Sequence, residues 1–309
     1  MKTYRDPAFE SLDLSPIVGL PIVSQRLIPS HHPGQSNYIW EITTKNERLV
    51  VRSPRHRTPP DEDFSQGALR LFEATGKDLN RADAIHRDLH EHGAIPVPHV
   101  KAVKQYLGRP FLVVQWMPGT SLCSFNLLSD DQLQRLGKHT ARLHQHRQSH
   151  FGRFGSIHQI RLGQPLDQFF VRLWSTIGFL LSRFYSSDPN AHRWVARIQT
   201  SVASTPALLA TAPIMLDMDP SQFLVHNGTI TALVDTEFYV WGPPELELTG
   251  LELLLDGSTA HAFRRGYEAI AALPPLESVR SIFRLVLRLL SFQGSVDWNT
   301  WMTLPAHWP

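Results

Sequence analysis

The stretch at residues 223–234 constrains the fold most. Phe223-Leu-Val225 and residues 230–234 are short runs rich in branched and aromatic side chains, with His226-Asn-Gly228 before the second run. An Asn-Gly pair in that setting is a strong signal for a tight β-turn, because both residues tolerate positive φ. Long helical patterns lie on either side, at residues 165–211 and 246–295. The chain therefore has to embed a hairpin in a mainly helical body.

The first third reads differently. Residues 37–43 and 49–52 are rich in branched and aromatic residues around the polar Thr44-Lys-Asn-Glu-Arg48, which predicts a second hairpin. Pro54, Pro59 and Pro60 mark a loop, and residues 64–92 read as helical, with Leu69, Phe72 and Leu89 among the apolar positions and Gly93 as the stop. Residues 110–117 (PFLVVQWM) predict a buried strand, punctuated by Pro118-Gly119. Ser129 opens a further helix as its cap, with Leu133, Leu136, Ala141 and Leu143 as its apolar stripe. The expectation is an α+β fold of two lobes, residues 1–116 and 117–309, joined near residues 115–119, with a ligand cleft between them.

Composition removes several alternatives. At 42% hydrophobic and 19% charged, the 309-residue chain reads as an ordinary globular protein. A net charge of +2 points to neither nucleic acid nor a membrane surface as partner. The N-terminus has no apolar core of signal-peptide length, and no apolar run approaches the ~20 residues that span a bilayer. The most apolar late run, residues 285–292, carries Arg288 and reads as a buried helix. Cys123 is the one cysteine, which suits a reducing cytoplasm and reads as packing. His86 and His90, four apart, have a metal-ligand spacing without an evident third ligand, and read as surface or helix-end residues; Trp298, Trp301 and Trp308 read as packing.

Phosphoryl transfer needs a phosphate-holding loop, a cation, a group that orients the acceptor hydroxyl, and metal ligands. Gly34, Ser36 and Asn37 open the first strand and supply a loop of that kind; Arg52 ends the next strand with a fixed positive charge. Taken alone, these are also ordinary turn and surface residues.

The more specific signal is Met215-Leu-Asp217-Met-Asp219-Pro-Ser-Gln222-Phe-Leu-Val225, followed by Ala232-Leu-Val-Asp235-Thr-Glu237 and Gly242-Pro-Pro244-Glu-Leu-Glu247-Leu248. This resembles the core of the aminoglycoside phosphotransferase family, with its His-x-Asp, an Asn five residues on, a hairpin, a second Asp, and Gly-Asp-Pro-x-x-Asp-Leu. The Gly34 loop, Ile95-Pro-Val-Pro98, residues 111–119 and the helix ending at Leu143-His144 follow in the family's order. The resemblance implies a two-lobed, protein-kinase-like fold and transfer of the γ-phosphate of ATP or GTP to a hydroxyl of a small molecule. An aminoglycoside, a macrolide, another antibiotic or a metabolite all suit it as acceptor, with a monomer or homodimer as the assembly. It implies Asp217 as catalytic carboxylate and Asp235 and Gln222 as ligands of Mg2+. Gly34, Ser36, Asn37 and Arg52 would face the phosphates, and the backbone of Gln115 and Met117 the base. Two further readings of the same resemblance are a kinase-like binding protein that has lost catalysis, and a choline- or homoserine-type metabolite kinase.

The chain departs from the family pattern in three places. Met215 stands for the family's His, Gln222 for its Asn, and Ala82 for the helix Glu that pairs with the basic residue at the Arg52 position; Glu73 fills that slot in another register. Asp219 reads as a cap before Pro220 or an added carboxylate near the metal, and Glu237 as a metal or acceptor contact or an exposed edge residue. Glu245, Glu247, Asp256 and Glu268 either attract a cationic acceptor or lie on solvated helix faces.

Overall fold

A computed structural model describes residues 11–29, 37–55, 60–76, 78–158, 163–201 and 208–309. After the short helix α1 (Ser15–Val18), strands β1 (Ile22–Leu27), β2 (Asn37–Thr44), β3 (Arg48–Pro54), β4 (Val100–Tyr106) and β5 (Arg109–Gln115) form an antiparallel sheet ordered β1-β2-β3-β5-β4. Alternation along β2 turns Tyr38, Trp40 and Ile42 to one face, where they pack with Leu14, Ile17, Leu49, Val51, Phe111 and Val113. On the opposite face Leu112 and Val114 meet Leu79 and Ala82. Ala82 begins α3 (Ala82–His92), the helix that crosses behind the sheet.

Helices α2 (Asp63–Phe72), α4 (Asp130–His144), α5 (Phe169–Phe184), α6 (Pro189–Ser201), α7 (Pro244–Leu254), α8 (Gly257–Glu268), α9 (Arg280–Leu289) and α10 (Trp298–Met302) share one larger core. Inside it, β6 (Thr120–Ser121), β10 (Phe223–His226) and β11 (Thr229–Leu233) form a three-stranded sheet. Strands β7 (His150–Arg153), β8 (Gln164–Pro165), β9 (Ala212–Met215) and β12 (Tyr239–Gly242) form another, ordered β8-β7-β12-β9. The β10–β11 turn has Asn227 at φ 51° and Gly228 at φ 73°, the conformation Asn-Gly favours. Gly119, after β5, has φ 129°, and a Cβ there would meet the Val225 carbonyl oxygen at 2.9 Å. Glycine thus lets the connecting segment lie against the hairpin. No helix among the described residues is long and apolar enough to cross a membrane.

Several local expectations are corrected. The helix expected over residues 64–92 is two helices. The N–H of Glu73 bonds Leu69 O and that of Ala74 bonds Ala68 O, a helix-ending motif with Glu73 left-handed at φ 57°. Glutamate at that position gives no glycine signal, and it pairs with Arg172 rather than Arg52. The pattern at 165–211 divides into α5 and α6, and that at 246–295 into α7, α8 and α9. Cys123 is exposed instead of packed. His86 is buried, held by Pro98 and Thr236. Arg288 is buried in α9 as expected of the run around it, and donates to Val296 O at 2.9 and 2.6 Å.

Candidate active site

Two loops run side by side and are tied together at both ends. The N–H of Leu216 donates to Phe238 O at 3.1 Å, and that of Val234 donates to Gln222 O at 2.8 Å. Between these ties lie Asp217 and Asp219 on one loop and Asp235 and Glu237 on the other. The first loop leaves buried β9 and the second leaves β11, so strand register decides which side chains meet. Asp235 adopts φ 63°, a left-handed conformation that aspartate tolerates better than most residues.

Arg52 reaches this pair from β3. Its Nη2 lies 2.5 Å from Asp235 Oδ1, and its Nη1 lies 2.8 Å from Glu237 Oε1. Arg52 and Glu237 are buried, whereas the Asp235 side chain is 47% exposed. Burial alone would lower the Arg52 pKa, but the charges of Asp235 and Glu237 hold it above its ordinary range. Crowding by the two loops desolvates Asp235 in part and works against its ionised form, although its side chain stays half open; Arg52 and hydrogen bonding with Glu237 outweigh this and hold that carboxyl low. Burial raises the Glu237 carboxyl, opposed by Arg52 and reinforced by Asp235. Glu237 is therefore the acid that takes up a proton, leaving one negative charge against one positive.

Gln222 Nε2 donates to Asp217 Oδ2 at 3.1 Å. Burial pushes the Asp217 carboxyl up to about 7, with the charges of Asp235 and Asp219 adding to it and the Gln222 hydrogen bond opposing it. Gln222 Oε1 is buried and has no hydrogen-bond partner among the described residues. The orphaned Gln222 amide oxygen and the half-exposed Asp235 carboxylate, carried on loops joined by the Val234–Gln222 hydrogen bond, are hard oxygen donors, the type Mg2+ takes. Asp219 caps the following turn, accepting from the Ser221 N–H at 2.8 Å.

Glu247 holds the first loop from below. Its Oε1 accepts from the Met215 N–H at 2.9 Å, and its Oε2 lies 2.7 Å from His144 Nε2, whose ring also contacts the Tyr267 hydroxyl at 3.0 Å. His86 braces the second loop. Its Nδ1–H donates to Pro98 O at 2.6 Å, leaving Nε2 to accept from the Thr236 hydroxyl at 2.9 Å.

The structure thus brings together Arg52, Asp217, Gln222 and Asp235. Asn37 begins β2, buried, with Oδ1 unpartnered among the described residues. Gly34 and Ser36 lie outside the described residues. Gln115 ends β5 and its N–H donates to His99 O at 2.9 Å; Met117 follows in the connecting segment. Sequence reasoning missed Glu237 as the second partner of Arg52. The signal was an Asp-x-Glu directly after an apolar strand, opposite a buried Arg. His86, expected at the surface or a helix end, and Glu247, expected to attract a cationic acceptor or lie on a solvated helix face, are instead buried braces, because each is placed by a contact distant in sequence.

A family model described as Phosphotransferase enzyme family matches residues 28–279. A comparison with curated proteins by sequence gives no match. The fold is similar to the apoenzyme of macrolide 2'-phosphotransferase MphH from Brachybacterium faecium, with TM-score 0.58 and 16% identity over 96% of this chain and 98% of that one. It is also similar to aminoglycoside phosphotransferase APH(4)-Ia, a thermostable mutant in ternary complex with AMP-PNP and hygromycin B. That match has TM-score 0.59 and 15% identity over 93% and 92% of the two chains. Spectinomycin phosphotransferase APH(9)-Ia, in complex with ADP and spectinomycin, matches with TM-score 0.59 and 14% identity over 88% and 82%. At these identities the structural likeness speaks to the fold.

Proposed function

The chain belongs to the phosphotransferase enzyme family, and on that premise we propose that it transfers the γ-phosphoryl group of ATP or GTP to a hydroxyl of a small molecule. The observation that carries the reading is the placement of Asp217 beside Gln222 and Asp235, with the Arg52 cation against Asp235. Asp217 accepts a hydrogen bond from the acceptor hydroxyl and takes its proton as the new O–P bond forms. The bond from the γ-phosphorus to its bridging oxygen breaks, and the nucleoside diphosphate leaves with the electron pair. Asp235 and the Gln222 amide oxygen would hold Mg2+, which when bound neutralises phosphate charge. Arg52, Asn37 and the Gly34–Ser36 loop would face the phosphates, and the backbone at Gln115 and Met117 the base.

Antibiotics of the aminoglycoside and macrolide kinds head the acceptor classes, since the structural neighbours include proteins named for them; a metabolite hydroxyl follows. A reducing cytoplasm, where nucleotide is abundant, fits a chain with a single thiol.

The test is nucleotide consumption with magnesium across a panel of aminoglycosides, macrolides, sugars and amino alcohols, for wild type and Asp217→Ala. Acceptor-dependent turnover that falls by about 10²-fold or more in the variant is expected. Equal rates in the two proteins would remove Asp217 from its role. Magnesium-dependent nucleotide binding without turnover on any acceptor would favour the binding-protein reading.

A further inference from the structure

We propose that Asp88, His92 and His158, with His146 beside them, form a zinc site that fastens the end of α3 to the body of the larger lobe. One ligand atom from each of Asp88, His92 and His158 lies within 4.8 Å of the other two. A point central to three such atoms is within about 2.8 Å of each, against about 2.0–2.2 Å for zinc bound to imidazole or carboxylate. Side-chain adjustment of under about 1 Å closes that difference. Asp88 and His92 are four apart on α3, the spacing that places two side chains on one helix face. His158 comes from the segment after β7, so the site draws on elements distant in sequence.

Three observations point to a ligand rather than to incidental proximity. His92 Nε2 is shielded from solvent and has no hydrogen-bond partner among the described residues. Buried imidazole nitrogens are ordinarily satisfied. Asp88 is buried, and its carboxylate is oriented by the Ile157 N–H, which donates to Oδ2 at 2.6 Å, the kind of outer contact that fixes a metal-binding carboxylate. His146 follows the end of α4, and its ring centre is 4.4 Å from that of His92, so a further imidazole stands beside the three-residue group. Two imidazoles and one carboxylate suit zinc better than magnesium or calcium. The site is separate from the Asp217 cleft, but α3 also carries His86, which holds Thr236 between Asp235 and Glu237. A metal at the end of α3 would steady that brace.

The experiment uses the full chain with any affinity tag removed. Zinc is measured by elemental mass spectrometry after dialysis against metal-free buffer, then titrated back in competition with a chromophoric chelator. About one equivalent of zinc per chain, bound with Kd below about 1 μM, is expected for wild type and for Asp217→Ala/Gln222→Ala. His92→Ala/His158→Ala is expected to lose it. Cobalt(II) substitution of wild type, which needs no variant, is expected to give the intense visible bands of a tetrahedral ion, displaced by zinc. Undiminished zinc binding in His92→Ala/His158→Ala, absence of a submicromolar site in wild type, or only the weak bands of octahedral cobalt would each overturn the proposal.

Discussion

Arg52 and Glu237 lie 2.8 Å apart, both buried, at the point where the small sheet meets the second acidic loop. The helix position from which an acid was expected is Ala82, packed against Leu79, Leu112 and Val114. The acid that holds Arg52 therefore comes from the loop carrying Asp235. Because burial keeps Glu237 prone to protonation, glutamine imitates its neutral form. Glu237→Ala is expected to weaken nucleotide binding by about tenfold, or ~1.4 kcal/mol by calorimetry, and Glu237→Gln to stay near wild type at pH 6–7. Equal affinity of the alanine variant and wild type would show that Arg52 needs no second partner.

Asp217 has a pH signature in stability. Its folded-state carboxyl is raised to about 7 from the ordinary 3.8, chiefly by burial. The stability this group contributes is full below the unfolded value and is lost as pH rises through the folded one. Asp217→Asn, which has no charge to bury, is expected to melt about 2–4 °C above wild type near pH 8 without magnesium. The gap should narrow below pH 7 and close near pH 4. A constant gap across that range would mean that Asp217 is not buried as an acid.

Gln222 offers one unpartnered oxygen and donates its nitrogen to Asp217. Gln222→Ala removes both. The magnesium concentration for half-maximal rate is expected to rise by about tenfold, equivalent to ~1.4 kcal/mol. An unchanged magnesium requirement would take Gln222 out of the proposed metal site.

Glu247 binds the Met215 N–H and the His144 ring inside the larger core. Glu247→Ala leaves the Met215 N–H and His144 Nε2 without this acceptor, and is expected to cost about 2–4 kcal/mol in urea unfolding, with turnover falling as the Asp217 loop loosens. Stability within about 0.5 kcal/mol of wild type would show that the loop is held by its strands alone.

Much of the local geometry was legible in local pattern. The Asn-Gly turn, the Ser129 cap and the spacing of Asp217, Gln222 and Asp235 are short-range features, in which a few residues dictate their own backbone. The break at Glu73 was not legible, because a left-handed residue without glycine leaves no compositional mark. The burial of His86 was equally hidden, since Thr236 reaches it only through the fold.

The sequence by itself determined the two-lobe order, the hairpin inside the helical body and the family's spaced acids, because periodicity and turn chemistry act within a few residues. Only the tertiary structure decided which acid meets Arg52, which network supports Met215, and that Asp88, His92 and His158 converge. Those outcomes depend on strand register and on helix packing across the core, where a single step along a strand sends a side chain to the opposite face.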